Sequence, residues 1–134
     1  MAMPTVLVVE DEWLLADYFA AVLEHLGYDV CGITGTAEGA EALARRHEPD
    51  VVLMDLRLAG PRDGVDAACA IEAARAVPMI FITASGDPRT LQRIHANDPD
   101  DILLKPVLER DLAASLARLC PLPGAAKAVH GARR

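Results

Sequence analysis

The sequence predicts an α/β domain: a five-stranded parallel sheet in the order 2-1-3-4-5, with helices on both faces. Three observations predict it. Short apolar runs alternate with segments of helical periodicity along the whole chain, the pattern of parallel strands joined by helical crossovers. The first, third and fourth runs (6–9, 51–54 and 79–82) are apolar without interruption, as strands buried on both faces must be. Four runs end in residues suited to handling charge: Glu10-Asp11, Asp55, Thr83 and Lys105-Pro106. In an open α/β sheet, ligands bind at the carboxyl ends of the strands.

The elements follow in order. Strand one covers about residues 5–10, and the helix after it carries Leu15, Phe19, Val22 and Leu26 at helical spacing, with Gly27 as its stop. Asp29 to Ile33 reads as a weaker strand, and residues 36–47, rich in Ala, Glu and Arg, as a helix. Pro49-Asp50 leads into strand three. Asp63 caps a third helix that runs to about Arg75, and Pro78 opens strand four. Asp87-Pro88 starts a fourth helix, an N-cap acid followed by proline at the first helical position. Asp100-Asp101 leads into a short fifth strand, and the last helix covers about 108–119, with Leu108, Leu112, Leu116 and Leu119 on one face. The second strand contains Gly32 and the fifth is short, so both are edge candidates. The order 2-1-3-4-5 places them there with every crossover right-handed, and it makes strands one and three neighbours.

The 134 residues suffice for one domain with a core, expected over 1–120, followed by a flexible tail over 121–134. The net charge is −7, and the bases Lys127, Arg133 and Arg134 of the last stretch stand without an acid, so the body before it is more acidic still. Such a body repels nucleic-acid phosphates and anionic lipids. No apolar run approaches membrane-spanning length, and no signal-peptide pattern opens the chain. Cys31, Cys69 and Cys120 are odd in number and far apart, which predicts buried thiols in a reducing cytoplasm rather than a disulfide or metal framework.

Glu10, Asp11 and Asp55 converge at the switch point, where three carboxylates repel one another unless a cation joins them. Mg²⁺ fits, with Asp11 and Asp55 as direct ligands and Glu10 binding directly or through water. Asp55, between a buried strand and the loop Ala59-Gly60-Pro61-Arg62-Asp63-Gly64, is the candidate nucleophile, since a carboxylate can attack phosphorus to form an acyl phosphate. Lys105 would offset phosphoryl charge and Thr83 would hydrogen-bond a phosphoryl oxygen, while the small Ala84 leaves access. Trp13 reads as a packing or helix-start residue.

On these motifs, in this order and spacing, the chain resembles the receiver domain of two-component response regulators over roughly residues 4–119, a flavodoxin-like fold. The resemblance implies that Asp55 is the phosphoacceptor. It implies that Glu10, Asp11, Asp55 and the backbone carbonyl of Arg57 hold Mg²⁺. It further implies that Thr83 and Lys105 contact the phosphoryl group and transmit its presence, and that the Lys105-Pro106 bond is cis. The phosphoryl group would come from a sensor histidine kinase or a phosphotransfer protein. The domain would catalyse its own phosphorylation and dephosphorylation and bias the helix four–strand five–helix five surface toward an output protein. A cytoplasmic stand-alone regulator, or a receiver excised from a larger protein, is the expected form, as a monomer or weak homodimer.

The chain departs from the common pattern in three places. The loop after Asp55 is one residue longer than usual and has Ala59 where proline is common. Ile102 stands where a switch aromatic is frequent, three residues before Lys105. Arg57 and Ser85 occupy the positions that tune dephosphorylation in the family. Two other readings stay open. An Asp-nucleophile phosphatase of the haloacid dehalogenase type would want a second Asp where this chain has Arg57. A phosphorylation-independent interaction module would have no use for the intact acidic cluster.

Overall fold

Strand and helix alternate without exception in the computed structural model, which describes residues 3–84 and 86–123. The elements are β1 (Thr5–Val9), α1 (Trp13–Leu26), β2 (Asp29–Thr34), α2 (Ala37–His47), β3 (Val51–Asp55), α3 (Gly64–Ala74), β4 (Met79–Thr83), α4 (Pro88–His95), β5 (Asp101–Leu104) and α5 (Glu109–Leu119). All pairings are parallel and the sheet order is β2-β1-β3-β4-β5, as the apolar patterning required. The two strands with mixed sequence lie at the edges. Every residue of β3 and β4 is buried, whereas β2 and β5 are partly exposed.

Alternation along the strands divides the core in two. Val6, Val8, Val51, Leu53, Ile80 and Ile82 face α1 and α5, where they meet Phe19, Leu23, Leu112 and Leu116. Leu7, Val9, Val52, Met54, Met79 and Phe81 face the opposite layer and meet Ala40, Ala68, Ile71 and Ile94. Small alanines on α2 and α3 bring those helices close to the sheet, which explains how a chain so poor in aromatic residues fills its interior.

The local signals act as read. Gly27 adopts φ +102° and its N–H closes the end of α1 on the Glu24 carbonyl. Asp63 caps α3 by accepting from the Asp66 N–H at 3.0 Å, and Asp66 returns the bond to the Asp63 N–H at 2.9 Å. Asp87 accepts from the Thr90 N–H at 3.2 Å at the head of α4. Two expectations fail. Leu108 does not join the buried face of α5; it is the extended residue before the helix and is 44% exposed. Nor are the thiols fully buried. Cys69 is exposed because Ala67, Ala68 and Ile71 take the inward face of α3, and its Sγ donates to Asn97 Oδ1 at 3.0 Å, while Cys31 and Cys120 are half-buried.

Ser85 and most of the stretch from residue 121 onward lie outside the described residues. Within them, Leu122 packs against the α1–α5 core beside Gly27, and Tyr28 donates its hydroxyl to the Cys120 carbonyl at 2.7 Å. Leu53, 1% exposed at the centre of the sheet, sets the scale of the packing. Leu53→Ala is expected to lower unfolding stability by about 3 kcal/mol, read from urea denaturation midpoints at unchanged m-value.

Candidate functional site

The sheet register builds the site before any polar contact forms. Val9 pairs with Met54, so the next residues, Glu10 and Asp55, emerge side by side from two buried strands. Thr83 ends β4 and pairs with Leu104, so Lys105 leaves the sheet beside it, and the Lys105 N–H donates to the Thr83 carbonyl at 2.9 Å. β5 is two strands from β3, a separation of about 10 Å, which the long lysine stem spans. Lys105 Nζ donates to Asp55 Oδ2 at 2.8 Å and stands 3.5 Å from Glu10 Oε1. The Lys105-Pro106 bond is cis, as the resemblance implied.

Glu10, Asp55 and Thr83 are 3%, 4% and 2% exposed, which is rare for such side chains and marks them as held for a purpose. Asp11 lies at the open rim. Carboxylate oxygens of Glu10, Asp11 and Asp55 all fall within 4.8 Å of one another. Backbone groups orient two of them: the Arg57 N–H donates to Asp55 Oδ1 at 3.1 Å, and the Glu12 N–H to Glu10 Oε2 at 3.1 Å. Among the described residues no group donates a hydrogen bond to Glu10 Oε1, although that atom is buried. Burial first, then the neighbouring Asp55, push the Glu10 carboxyl up to about 8, against the pull of the Glu12 N–H and Lys105. Burial pulls the Lys105 ammonium down, but its hydrogen bond to Asp55 and the charges of Asp55 and Glu10 reverse this and raise it.

Three acids therefore face one ammonium. A divalent cation bound by oxygen is the species that satisfies the orphaned Glu10 oxygen and the close carboxylates together. The sequence-predicted residues thus converge: Glu10, Asp11, Asp55, Thr83 and Lys105 at the strand ends, and Arg57 as an exposed residue whose backbone holds Asp55.

Several supporting residues escaped sequence reasoning. Glu12 acts through its N–H, which composition cannot show. Gly64 crosses directly over the Asp55 carbonyl, where any Cβ would collide with backbone, and its N–H donates to the Leu56 carbonyl at 2.7 Å. Arg93 on α4 donates to Asp63 Oδ2 at 2.7 Å. Burial alone would raise the Asp63 carboxyl, but Arg93 and the Asp66 N–H bring it below its ordinary value. Trp13 and Leu14, at 71% and 69% exposed, open α1 just after Asp11, and one turn on Tyr18 donates its hydroxyl to the Val107 carbonyl at 3.1 Å, beside the exposed Leu108, so these side chains form an apolar rim at the head of α1.

A parallel α/β sheet with an acidic cluster at its strand ends defines a signalling domain of the receiver type. The chain belongs to the response regulator receiver domain family of two-component systems, which it matches over residues 6–117. It is 34% identical over 111 residues to the transcriptional regulatory protein PdtaR of Mycobacterium tuberculosis, covering 83% of this chain and 54% of that protein. It is likewise 34% identical over 117 residues to the DNA-binding response regulator MtrA of the same organism, covering 85% and 50%. The chain therefore spans about half the length of these curated relatives. Among solved structures it is similar to the signal receiver domain of a modulated diguanylate cyclase from Desulfovibrio desulfuricans (TM-score 0.82, 40% identity, 88% of this chain and 94% of that one). It is also similar to the receiver domain of a sensor histidine kinase from Pseudomonas aeruginosa with magnesium coordinated in its active site cleft (TM-score 0.80, 31% identity, 88% and 98%).

The raised Glu10 carboxyl gives the metal-free protein a pH signature. Between 4.5 and about 8 the folded state keeps a proton that the unfolded state has released. Ionising Glu10 in the folded state is costly, so its contribution to stability is complete below 4.5 and is lost as pH rises through about 8. Denaturation midpoints measured in a chelator are expected to fall across that window, and Glu10→Gln is expected to flatten the fall.

Proposed function

We propose that this receiver accepts a phosphoryl group on Asp55 in a Mg²⁺-assisted transfer from the phosphohistidine of a sensor histidine kinase or phosphotransfer protein. The observation that carries the reading is a buried Asp55 held between the Arg57 N–H and the Lys105 ammonium, with two further carboxylates within reach of one cation. Glu10, Asp11, Asp55 and the Arg57 carbonyl would hold the ion. When bound, Mg²⁺ neutralises charge on the phosphoryl oxygens and draws the acids into one array.

The chain's own residues do the rest. The Arg57 N–H and Lys105 fix the plane of the Asp55 carboxylate, so one of its oxygens attacks phosphorus in line as the phosphorus–nitrogen bond to the donor imidazole breaks and its electron pair returns to the ring. Lys105 then has an anionic phosphoryl oxygen to bind in place of the carboxylate oxygen, and the Thr83 hydroxyl is placed at the end of the adjoining strand to hydrogen-bond another. Water attack on the resulting acyl phosphate resets the domain, so the chain catalyses both its loading and its clearance without being an enzyme toward an outside substrate.

The apolar rim of Trp13, Leu14, Tyr18 and Leu108 is where a donor helix would lie while its histidine enters. α1 carries Asp17 and Glu24 and neither Lys nor Arg, which favours a donor with basic flanks. On the opposite side of β5, a groove lined by Leu91, His95, Ile102 and Leu104 offers the output surface, with α5 tied to the strand by Arg118 and Ser115 on Asp101 at 2.8 and 2.6 Å. Ile102 packs against the α4-side core and is too small to swing as an aromatic does, so the signal would pass through Thr83 and the site loops. Three free cysteines, and helices none of which is long and apolar enough to cross a membrane among the described residues, accord with action in the cytoplasm.

Intact mass after incubation with acetyl phosphate tests the reading. A Mg²⁺-dependent gain of one phosphoryl group is expected, absent in Asp55→Asn and slowed about 100-fold in Lys105→Ala. A gain that survives Asp55→Asn would mean the acceptor is elsewhere.

A further inference from the structure

The turn between β2 and α2 is wedged between the two loops that carry the metal-site acids. On one side Gly35 lies against the β1–α1 loop: a Cβ added there would fall 2.9 Å from Asp11 Cα and 3.1 Å from Asp11 Cβ. The Glu10 N–H donates to the Thr34 carbonyl at 2.8 Å, fixing that contact from the strand side. On the other side the Gly35 carbonyl accepts the Ala59 N–H at 2.9 Å, and Thr36 and Ala59 form an isolated parallel bridge. Ala59 belongs to the β3–α3 loop that begins at Asp55 and contains Arg57. Three residues on, Arg62 pairs with Glu41 of α2 and stands 3.7 Å from Glu38 of the same helix. Arg62 and Glu41 are only 38% and 25% exposed, so the pair is less screened than a surface contact. Thr36 caps α2, accepting from the Gly39 N–H at 3.0 Å, and so anchors the turn to the helix that Arg62 grips.

We infer that Gly35 is a spacer that sets the gap between Asp11 and the Asp55–Arg57 loop, with Arg62 as the latch that holds the loop against it, and that together they tune the site to the small radius of Mg²⁺. This rests on the Mg²⁺ reading above. The physical case is one of size. Mg²⁺ demands oxygen at about 2.0–2.1 Å in a near-ideal octahedron, whereas Ca²⁺ accepts 2.3–2.6 Å and looser geometry. Only a glycine lets the turn sit this close to Asp11, because the atoms a side chain would meet are backbone and Cβ, which cannot rotate away. A side chain at 35 must push Asp11 from the acceptor loop, which widens the site and favours the larger ion. The loop after Asp55, one residue longer than is usual in the family, gains from a fixed point between Arg57 and α3, and the Ala59 bridge with the Arg62 latch supplies two.

Direct titration with Mg²⁺ or Ca²⁺ alone, followed by calorimetry and by the fluorescence of Trp13, tests this in the full chain. Gly35→Ala is expected to weaken Mg²⁺ about tenfold, the usual scale for a supporting residue, while Ca²⁺ changes less than about twofold. Arg62→Ala should move the same ratio in the same direction by about threefold, with faster amide exchange over residues 56–62 in the metal-free protein, and Arg62→Lys should restore most of it. Equal weakening of both ions would mean general damage and overturn the spacer. Unchanged Mg²⁺ affinity in both variants would overturn it too. Should Gly35→Ala fail to fold, the Arg62 pair decides on the same criteria. A parent protein that binds neither ion would overturn the Mg²⁺ reading itself, and the spacer with it, an outcome distinct from a parent that binds and variants that do not differ.

Discussion

Like charges brought together by the sheet are the constraint around which the rest of this molecule is arranged. Parallel pairing of β1 with β3 leaves Glu10 and Asp55 no choice but to emerge side by side, because the register that buries Val9 against Met54 fixes the residues that follow. Neither carboxyl can turn to solvent, since each is nearly fully buried. Lys105 answers one of them closely and the other loosely, reaching over β4 to do so. The remaining imbalance stays in the protein as a carboxyl pushed well above its ordinary range and a buried Glu10 oxygen that accepts no hydrogen bond among the described residues. Such strain is destabilising in isolation and useful when an ion or a phosphoryl group is the intended partner.

The sheet supplies the rigidity that makes the constraint hold. Strands β1, β3 and β4 are packed on both faces by two separate apolar layers, so the strand ends cannot spread to relieve the repulsion. The loops that leave the strand ends are anchored in turn: the Arg57 and Glu12 amides hold the acids, and Gly64 lets the β3–α3 loop close over the Asp55 backbone. Asp63 serves two masters here, since one oxygen caps α3 and the other receives Arg93 from α4. That connection runs from the β3–α3 loop to the helix beside β5 without passing through Ile102.

What the sequence made legible was whatever depends on periodicity or on a local signal. The strand order followed from which runs were uninterrupted and which contained Gly32 or were short. The caps at Asp63 and Asp87 and the stop at Gly27 acted as their residue types dictate. Glu10, Asp11, Asp55, Thr83 and Lys105 could be named together because topology, not sequence proximity, gathers them. What stayed hidden depends on distance across the fold. Leu108 fits the helical spacing of α5 yet lies outside the helix, because it is the extended cap residue that precedes the first turn. Cys69 is apolar by composition and exposed by its angle on α3. Gly35 and Gly64 look like ordinary loop glycines; only the backbone that crosses each of them, Asp11 in one case and Asp55 in the other, shows why no side chain fits.

The absence of an aromatic at position 102 then takes on a different meaning. In a site where a large ring moves inward, the ring couples the hydroxyl at the end of β4 to the surface of β5. Here Ile102 is half-buried against the α4-side core, next to Phe81 in register, and leaves a groove rather than a plug between β5 and α4. The β3–α3 loop meanwhile holds α4 directly through Asp63 and Arg93, and α2 through Arg62. Rearrangement of the loop around a phosphoryl group on Asp55 would act on both helices at once, because the segment that follows Asp55 supplies both ion pairs. Coupling by a shared loop requires no rotameric switch in the core. It requires that the loop have few ways to relax, which the bridge at Ala59 and the close approach at Gly35 provide.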